Sequence, residues 1–220
     1  MEQQNRRGQQ DQRDRQYHHG DLRRALLDAA LQLANERGIA GFTLREVARQ
    51  AGVSHNAPYH HFADKAALVE ALAVENFEIL EADLKRAYEQ TDGNALDKLL
   101  AEGVAYVRFA LRNQAAFRFM FRPELHQREA GVVVVESGVA RAGSAAYEVL
   151  LDGIRVAQRE GVIEGKQDVQ LLALSMWSIV HGLAVLLLDS SVQKLFPAPV
   201  EDEQVAQHVV DVMAAGLRRR

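Results

Sequence analysis

The residues best equipped for chemistry lie in one short stretch, HNAPYHH at residues 55–61. Three histidines, His55, His60 and His61, fall within seven positions, beside Tyr59. Imidazoles can ligate a metal ion, move protons in catalysis or donate hydrogen bonds to an anion such as a phosphate. The secondary structure around this stretch decides which of these uses the spacing of the histidines allows.

The spacing of the three histidines fits a metal site poorly. His60 and His61 are adjacent, so on a helix they would point about 100° apart. His55 lies five positions before His60, unlike the i, i+4 pairs that share one helix face. The chain has no cysteine, and no Gly-rich phosphate loop, G-x-S-x-G or H-E-x-x-H motif is present. We therefore expect no metal, no cofactor and no enzymatic activity.

The charge is unevenly distributed along a chain of otherwise ordinary composition. Of the 220 residues, 48% are apolar and 25% are charged, as in most soluble globular proteins. Residues 1–65 carry ten Lys and Arg against eight Asp and Glu, whereas residues 66–220 carry sixteen against twenty-two. This asymmetry favours an N-terminal part that meets an anion. The first residues contain no apolar stretch typical of a signal peptide, so we expect a cytoplasmic protein.

One apolar segment can be interpreted in two ways. Residues 171–188 contain no Asp, Glu, Lys or Arg, which meets the lower length limit of a membrane span. Ser175, Ser178 and Gly182 interrupt the segment, and no cluster of basic residues flanks it. A helix that is apolar all round can equally lie inside a helical protein or in a dimer interface. We favour this second interpretation and expect no contact with a membrane.

The apolar periodicity predicts an all-α chain. Residues 1–16 are rich in Gln and Arg and lack core-forming side chains, so we expect a disordered arm. A first helix is predicted from the cap Asp21 to Gly38. The run Val132–Val135 favours a strand locally but has no partner strand. Further helices are expected at residues 94–113, 114–121, 137–160, 168–190 and 201–217. Breaks between helices are expected at residues 91–93, 122–123, 161–165 and 197–199.

The segment before the long fourth helix predicts a helix-turn-helix. Thr43-Leu-Arg-Glu46 has the spacing of a capping box and opens a short helix that ends at Gly52. Ser54 is expected to cap a third helix, with Pro58 in its first turn, and Asp64 to cap the fourth. Two short helices joined by such a turn place the second one in the major groove of DNA.

These residues resemble a known family. The stretch GFTLREVARQAGVSHNAPYHHFADKAAL (41–68) closely resembles the DNA-binding domain of TetR-type transcriptional regulators, and YHHGDLRRALLDAA (17–30) resembles a subgroup of them. Further on, Trp177-Ser-Ile-Val-His181-Gly182 is similar to the signature of the WHG type of C-terminal domain. Pro58 departs from the pattern, because many relatives have leucine there, so the start of the recognition helix is expected to differ in detail.

The resemblance implies contact with DNA for ten residues. Thr43 and Lys65 lie at predicted helix N-termini, where the helix dipole and free amides favour a phosphate. Tyr59 and His61 resemble the phosphate-contacting pair of the family, and Arg45 resembles its base-reading arginine. The other candidates are Ser54, His55, Asn56, Ala57 and His60. For each of them the alternative is a solvated surface side chain.

The resemblance also implies a C-terminal part that binds a small-molecule effector and forms a homodimer through the helices at 168–190 and 201–217. The apolar residues expected at the dimer interface are Leu183, Leu187, Val205, Val209 and Val212. The candidate effector-binding residues are Phe109, Phe117, Phe121, Tyr147, Trp177 and His181. For any single aromatic residue, core packing is the alternative. His181 must either hydrogen-bond within the protein or contact the effector.

The sequence therefore predicts an all-α protein of two domains. Residues 17–66 are expected to form a three-helix DNA-binding domain with a helix-turn-helix, and residues 67–220 a helical domain for ligand sensing and dimerisation. Such a protein would be a repressor that binds a palindromic double-stranded operator as a homodimer and is released by a small molecule. The alternative is an architectural DNA-binding protein of the same fold that responds to no effector.

Overall fold

The computed structural model describes residues 22–121, 137–189, 193–196 and 198–217. Several sequence-based predictions concern residues outside these ranges. They are the arm at 1–16, the cap Asp21, the break at 122–123, the strand-like run Val132–Val135 and the contribution of Pro197 to the last break.

The described residues are mainly helical, and the prediction of an all-α fold is confirmed. The α-helices in chain order are α1 (22–37), α2 (Leu44–Gln50), α3 (Lys65–Gln90), α4 (Ala95–Arg112), α5 (Gln114–Met120), α6 (Gly138–Arg159), α7 (Val169–Leu188) and α8 (Asp202–Leu217). Short 3-10 turns cover Ile39–Gly41, Ala57–His60 and Gln193–Leu195.

The chain divides into two compact units. The division falls after Leu72, inside α3, whereas the sequence placed the domain boundary at residue 66. The described part of the first unit is residues 22–72. The second unit contains residues 73–121 and the described residues from 137 onward.

The capping box predicted at the start of α2 is present. The Glu46 backbone N–H donates to the Thr43 hydroxyl at 3.3 Å, and the Thr43 backbone N–H donates to the Glu46 carboxylate at 2.9 Å. Both amides would otherwise lack a partner at the helix start. Leu44 and Val47 then bury the inner face of this two-turn helix. The box thus fixes where α2 begins.

A Schellman motif at Gly52 ends α2. Gly52 has a φ of 70°, in the left-handed region that residues with a Cβ rarely adopt. The Val53 N–H donates to the Ala48 carbonyl at 3.0 Å, and the Gly52 N–H donates to the Arg49 carbonyl at 3.2 Å. These two hydrogen bonds define the motif. The turn therefore depends on the backbone freedom of glycine.

Gly52→Ala is expected to lower the free energy of unfolding by about 1–2 kcal/mol, because a Cβ disfavours the left-handed backbone. A Cβ at Gly52 would meet no heavy atom within 4 Å, so the cost is conformational and not steric. Urea denaturation followed by circular dichroism measures it. Gly165→Ala is the matched control, since its Cβ also enters open space without a left-handed backbone. Equal stability of the two variants would contradict this account of the turn.

The prediction of a third α-helix capped by Ser54 is wrong. The segment forms only the 3-10 turn Ala57–His60, and Asn56 occupies the N-cap position without a capping hydrogen bond from its side chain. Ser54 therefore does not cap an α-helix. The reason is Pro58, which lacks an N–H and disfavours helical backbone angles at Ala57. Ala57 is also buried, at 9% exposure, so we remove it from the base-contacting set.

α4 lies at the centre of the second unit and packs against α5, α6, α7 and α8. A second capping box, between Asn94 and Asp97, opens this helix. Phe109 and Val107 of α4 and Ile154 of α6 are fully buried. Burial of each such side chain stabilises the fold by about 1.5–3 kcal/mol. Because α4 is covered on several sides, its side chains can reach both the core and a cavity between the helices.

α7 is apolar on all sides, but part of it faces away from the core. The structure corrects two of the predicted interface residues, since Leu183 and Leu187 are 8% and 7% exposed and pack within their own chain. Val205 and Val209 of α8 are half-buried. The large apolar residues that are exposed on these two helices are Leu171, Leu174, Ile179, Val185, Leu186 and Val212. The position of each residue around the helix axis decides whether it is buried or exposed, because residues three or four apart share a face.

Among the described helices, α7 alone is long and apolar enough to cross a membrane. Length and composition are weak evidence for a span, because core helices of soluble proteins pass the same test.

Candidate nucleic-acid interface and ligand cavity

Most of the predicted DNA-contacting side chains lie exposed around α2 and the 3-10 turn. Thr43 caps α2, and Arg45 is exposed at the second position of this helix. Tyr59 is 52% exposed, which is high for an aromatic side chain. The other exposed candidates are Ser54, His55, Asn56 and His60. The first unit thus presents hydrogen-bonding groups to solvent along two consecutive short elements.

His61 differs from its exposed neighbours. Its side chain is half-buried, with the ring centre 6.3 Å from that of the buried Phe62. Its backbone N–H donates to the Pro58 carbonyl at 3.0 Å. His55 and His60 both face solvent instead. In the part of the chain that the structure describes, no group of three or more His, Cys, Asp or Glu residues is placed to hold a metal ion.

Lys65, a predicted phosphate ligand, is held by the chain segment that precedes α2. Its Nζ donates to the Phe42 carbonyl at 2.6 Å and lies 4.4 Å from the centre of the Phe42 ring. Partial burial lowers the pKa of Lys65. The ammonium therefore links the start of α3 to the approach to α2. Only its remaining hydrogens are available to a phosphate.

The second unit contains a cavity of about 480 Å³, within the usual range for small-molecule sites. Three of the predicted effector-binding residues line it: Phe121, Tyr147 and Trp177. Phe109 and Phe117 do not line it. They are 0% and 2% exposed and belong to the core. Of the aromatic residues predicted to bind the effector, some thus pack in the core and others line the cavity.

A chain of hydrogen bonds joins three polar side chains beside the cavity. The indole N–H of Trp177 donates to the Tyr106 hydroxyl oxygen at 3.2 Å, and this hydroxyl lies 2.8 Å from Nδ1 of His181. An indole can only donate, so the Tyr106 hydrogen is left to be donated to His181. Burial raises the pKa of Tyr106 and lowers the pKa of His181. Both pKa shifts are consistent with a neutral His181 imidazole that accepts a hydrogen bond from an un-ionised Tyr106 hydroxyl.

The structure places a buried acid, Glu102, in the cavity wall. Glu102 is 3% exposed, and neither carboxylate oxygen has a hydrogen-bond partner among the described residues. The oxygens lie against α6, where a Cβ at Gly153 would approach them to 3.4 and 3.5 Å. Burial raises the pKa of Glu102 to about 9, and the neighbouring Asp152 adds to this shift. The carboxyl group is therefore protonated at neutral pH.

Sequence reasoning missed both Glu102 and Tyr106, although a signal for them exists. Leu99, Glu102 and Tyr106 are three and four positions apart, so they share one face of α4. An acid on the apolar stripe of an amphipathic helix is unusual, because burying an unpaired charge is costly. The sequence alone could not show that this stripe faces a cavity.

Both halves of the chain match one family. Residues 26–72 match the family described as bacterial regulatory proteins of the tetR family, and residues 99–213 match the tetracyclin repressor-like C-terminal domain. The second match alone covers more than half of the 220 residues. The chain belongs to the TetR family.

Individual relatives extend this TetR match along the chain. The HTH-type transcriptional regulator TtgR of Pseudomonas putida is 28% identical over an alignment of 190 residues, which covers 80% of this chain and 85% of that protein. The tetracycline repressor protein class D of Escherichia coli is 47% identical over 53 residues, 24% of each chain. A solved structure of a protein of unknown function from Rhodococcus sp. RHA1 is 36% identical, with a TM-score of 0.77, covering 92% of this chain and 98% of that one. The likeness thus spans both units.

Proposed function

We propose that this TetR-family chain is a ligand-responsive transcriptional repressor. It binds a palindromic double-stranded operator as a homodimer and releases it when a small molecule enters the cavity. The observation that carries the proposal is the cavity of about 480 Å³ in a chain whose first unit has the capped helix α2 followed by a turn and the exposed 3-10 segment Ala57–His60. An architectural DNA-binding protein would need no such cavity, so that alternative is less well supported. A soluble regulator of this kind acts in the cytoplasm.

The exposed polar residues of the first unit are the proposed DNA contacts. Arg45 and Asn56 have the donor geometry that reads guanine and adenine edges in the major groove. Tyr59 and His61 contribute hydrogen bonds to phosphates, which fix the register on the duplex. The remaining proposed contacts are Thr43, Ser54, His55, His60 and Lys65. Lys65 acts partly by holding the Phe42 carbonyl, so its role combines binding with local structure.

The homodimer is proposed to form through the exposed apolar sides of α7 and α8. Leu174 and Leu186 of α7 are 48% and 50% exposed, and Val212 of α8 is 61% exposed. Exposed apolar groups on two neighbouring helices are typical of an interaction site. A two-fold axis places the same helices of both chains against each other, which suits a palindromic operator. The apolar surface of α7 thus needs no membrane to cover it.

The effector is proposed to contact Phe121, Tyr147 and Trp177, which line the cavity, while His181 acts through its hydrogen bond to Tyr106. Phe109 and Phe117 support this wall from the core. The ring centres of Trp177 and His181 are 5.4 Å apart, as the spacing of four residues on one helix requires. The proposed likeness of this helix to the WHG type rests on Trp177, His181 and Gly182 in the sequence.

The test of this function uses Trp177, the single tryptophan of the sequence. A compound that saturably changes Trp177 fluorescence should release a fluorescently labelled operator over the same concentration range, because both signals report one binding equilibrium. Gly143→Leu is the control: Gly143 lines the cavity, and a Cβ at this position would lie 3.5 Å from the Phe77 ring, so added bulk there should block both responses. Compounds that change Trp177 fluorescence but never operator affinity would refute ligand-controlled release.

A further inference from the structure

Glu102 is an acid in a cavity wall whose other described lining residues are mostly apolar and carry no charge. Neither of its oxygens contacts solvent or a hydrogen-bonding group of the described residues. A buried polar group without a partner destabilises a fold. Leu or Met at this position would pack without that cost. The buried acid therefore points to a partner that arrives with the ligand.

The charges around Glu102 favour a positive partner. No Lys or Arg of the described residues lines the cavity. On the outer side of Glu102, a shallow groove between α3 and α6 carries acidic side chains and one lysine. These groups are Glu81, Lys85, Glu89, Glu148 and Asp152, together with Tyr88. Lys85 is already bound to Glu81, with its Nζ 2.6 Å from the carboxylate. From α7, the neutral His181 faces Tyr106.

The aromatic lining offers a second source of attraction for a cation. Phe77, Phe121, Tyr147 and Trp177 all contribute to the wall. The Phe77 and Phe121 rings meet edge to face with centres 5.4 Å apart, and the Tyr147 and Trp177 rings do so at 6.0 Å. The faces of such rings attract a cation placed within about 6 Å. An anionic ligand would gain nothing from these faces and would find no basic side chain among the described residues that line the cavity.

We infer that the effector is a lipophilic cation, an apolar or aromatic body with one positively charged nitrogen, and that Glu102 recognises its charge. This inference rests on the proposed function, because it names the ligand class of the same cavity. The carboxylate of Glu102 lies against Gly153, so recognition of the ligand requires a rotation about the side-chain bonds of Glu102. The aromatic residues enclose the apolar body and the methylene groups beside the nitrogen.

Binding of a permanent cation should release a proton. The pKa of Glu102, raised by burial to about 9, keeps the carboxyl protonated at pH 7. A cation pairs with the ionised form, so its affinity should rise about tenfold per pH unit up to this pKa. A neutral ligand that accepts a hydrogen bond from the protonated carboxyl should have a flat affinity up to this pKa and a falling one above it. A positive slope below about pH 9 therefore separates the cation from the neutral ligand.

The experiment titrates the full-length protein with three matched probes, followed by Trp177 fluorescence between pH 6.5 and 8.5. The cation is 4-phenylbutyltrimethylammonium, the neutral probe is its carbon isostere (5,5-dimethylhexyl)benzene, and the anion is 5-phenylpentanoate. We expect the cation to bind most tightly, with a slope of about one decade per pH unit. Neither of the other probes should show this slope.

Two variants assign the effect to one carboxyl group. Glu102→Gln keeps the shape but cannot ionise, so it should lose the pH slope and about tenfold or more of the cation affinity at pH 8.5. Glu78→Gln removes an exposed acid of α3 and should keep both. Glu102→Gln should melt no lower than the wild type, since it removes an unpaired buried acid. Tyr147→Leu removes one aromatic face from the cavity lining and tests the aromatic attraction independently of Glu102. A melting temperature of Glu102→Gln well below the wild type, together with an unchanged cation affinity in Tyr147→Leu, would overturn the inference.

The outcomes for the ligand class and for the function are distinct. A cation affinity without pH slope, a slope that persists in Glu102→Gln, or preference for the anion would overturn the cation inference. Operator release by the neutral or anionic probe alone would also overturn the cation inference, but it would support the repressor proposal. Tight, Glu102-dependent cation binding that leaves operator affinity unchanged would support the cation site and count against ligand-controlled release.

Discussion

Leu186→Glu is expected to produce monomers and to weaken operator binding by roughly 10²–10⁴-fold. The affinity falls because two linked half-site contacts become two independent ones. Leu186 is 50% exposed on α7 in the isolated chain, so the substitution leaves the core intact. In a two-fold interface the new carboxylate appears twice and is desolvated in an apolar surface, which is costly. Sedimentation velocity measures the assembly state, and fluorescence anisotropy measures operator affinity.

Ile79→Glu is the matched control for the dimer interface. Ile79 is 39% exposed on α3, and it also belongs to the second unit. The control should remain a dimer with wild-type operator affinity, because the same charge enters an exposed site outside α7 and α8. An intact Leu186→Glu dimer, or equal dissociation of both variants, would place the interface elsewhere.

Arg45→Ala is expected to reduce discrimination between operator and random DNA, by about 1–3 kcal/mol per half-site. Two half-sites double the effect in the dimer. The reason is that an arginine that pairs with a guanine edge contributes to specific binding, whereas non-specific binding depends on phosphates. Competition titrations at several salt concentrations give both affinities and both salt slopes.

Arg49→Ala is the control for the loss of one positive charge on the same helix. Arg49 is exposed one helical turn after Arg45. Arg49→Ala removes a charge that is not expected to read a base. It should therefore lower operator and random-DNA affinity by similar factors and keep the wild-type ratio of the two affinities. Equal ratios in both variants would show that Arg45 contributes only general electrostatic attraction.

The helices could be predicted from the sequence because their signals are local. The Thr43–Glu46 capping box and the glycine after α2 depend on residues close along the chain, and both are present in the structure. Apolar periodicity located α4 to α8 to within about two residues at their described ends. The resemblance to TetR-type regulators rested on the same local segment. The family matches confirm it.

The side chains that face a cavity, a core or solvent could not be assigned from one sequence. Phe117 and Phe121 are the same residue type and lie four positions apart, yet the first belongs to the core and the second lines the cavity. Leu183 and Leu186 of α7 divide in the same way between core and exposed surface. In each case the outcome depends on which other helix covers that face, and this is a non-local property.

The sequence by itself determined the helical class, the helix-turn-helix segment and the family of this protein, because caps, turn glycines and periodic apolar residues act within a few positions. The tertiary structure decided that Pro58 shortens the third element to a 3-10 turn and that Lys65 holds the Phe42 carbonyl. It also placed Glu102, without a hydrogen-bonding partner among the described residues, in a mostly apolar cavity wall. The physical reason is that burial and the partners of a polar group depend on packing between helices that are distant along the chain.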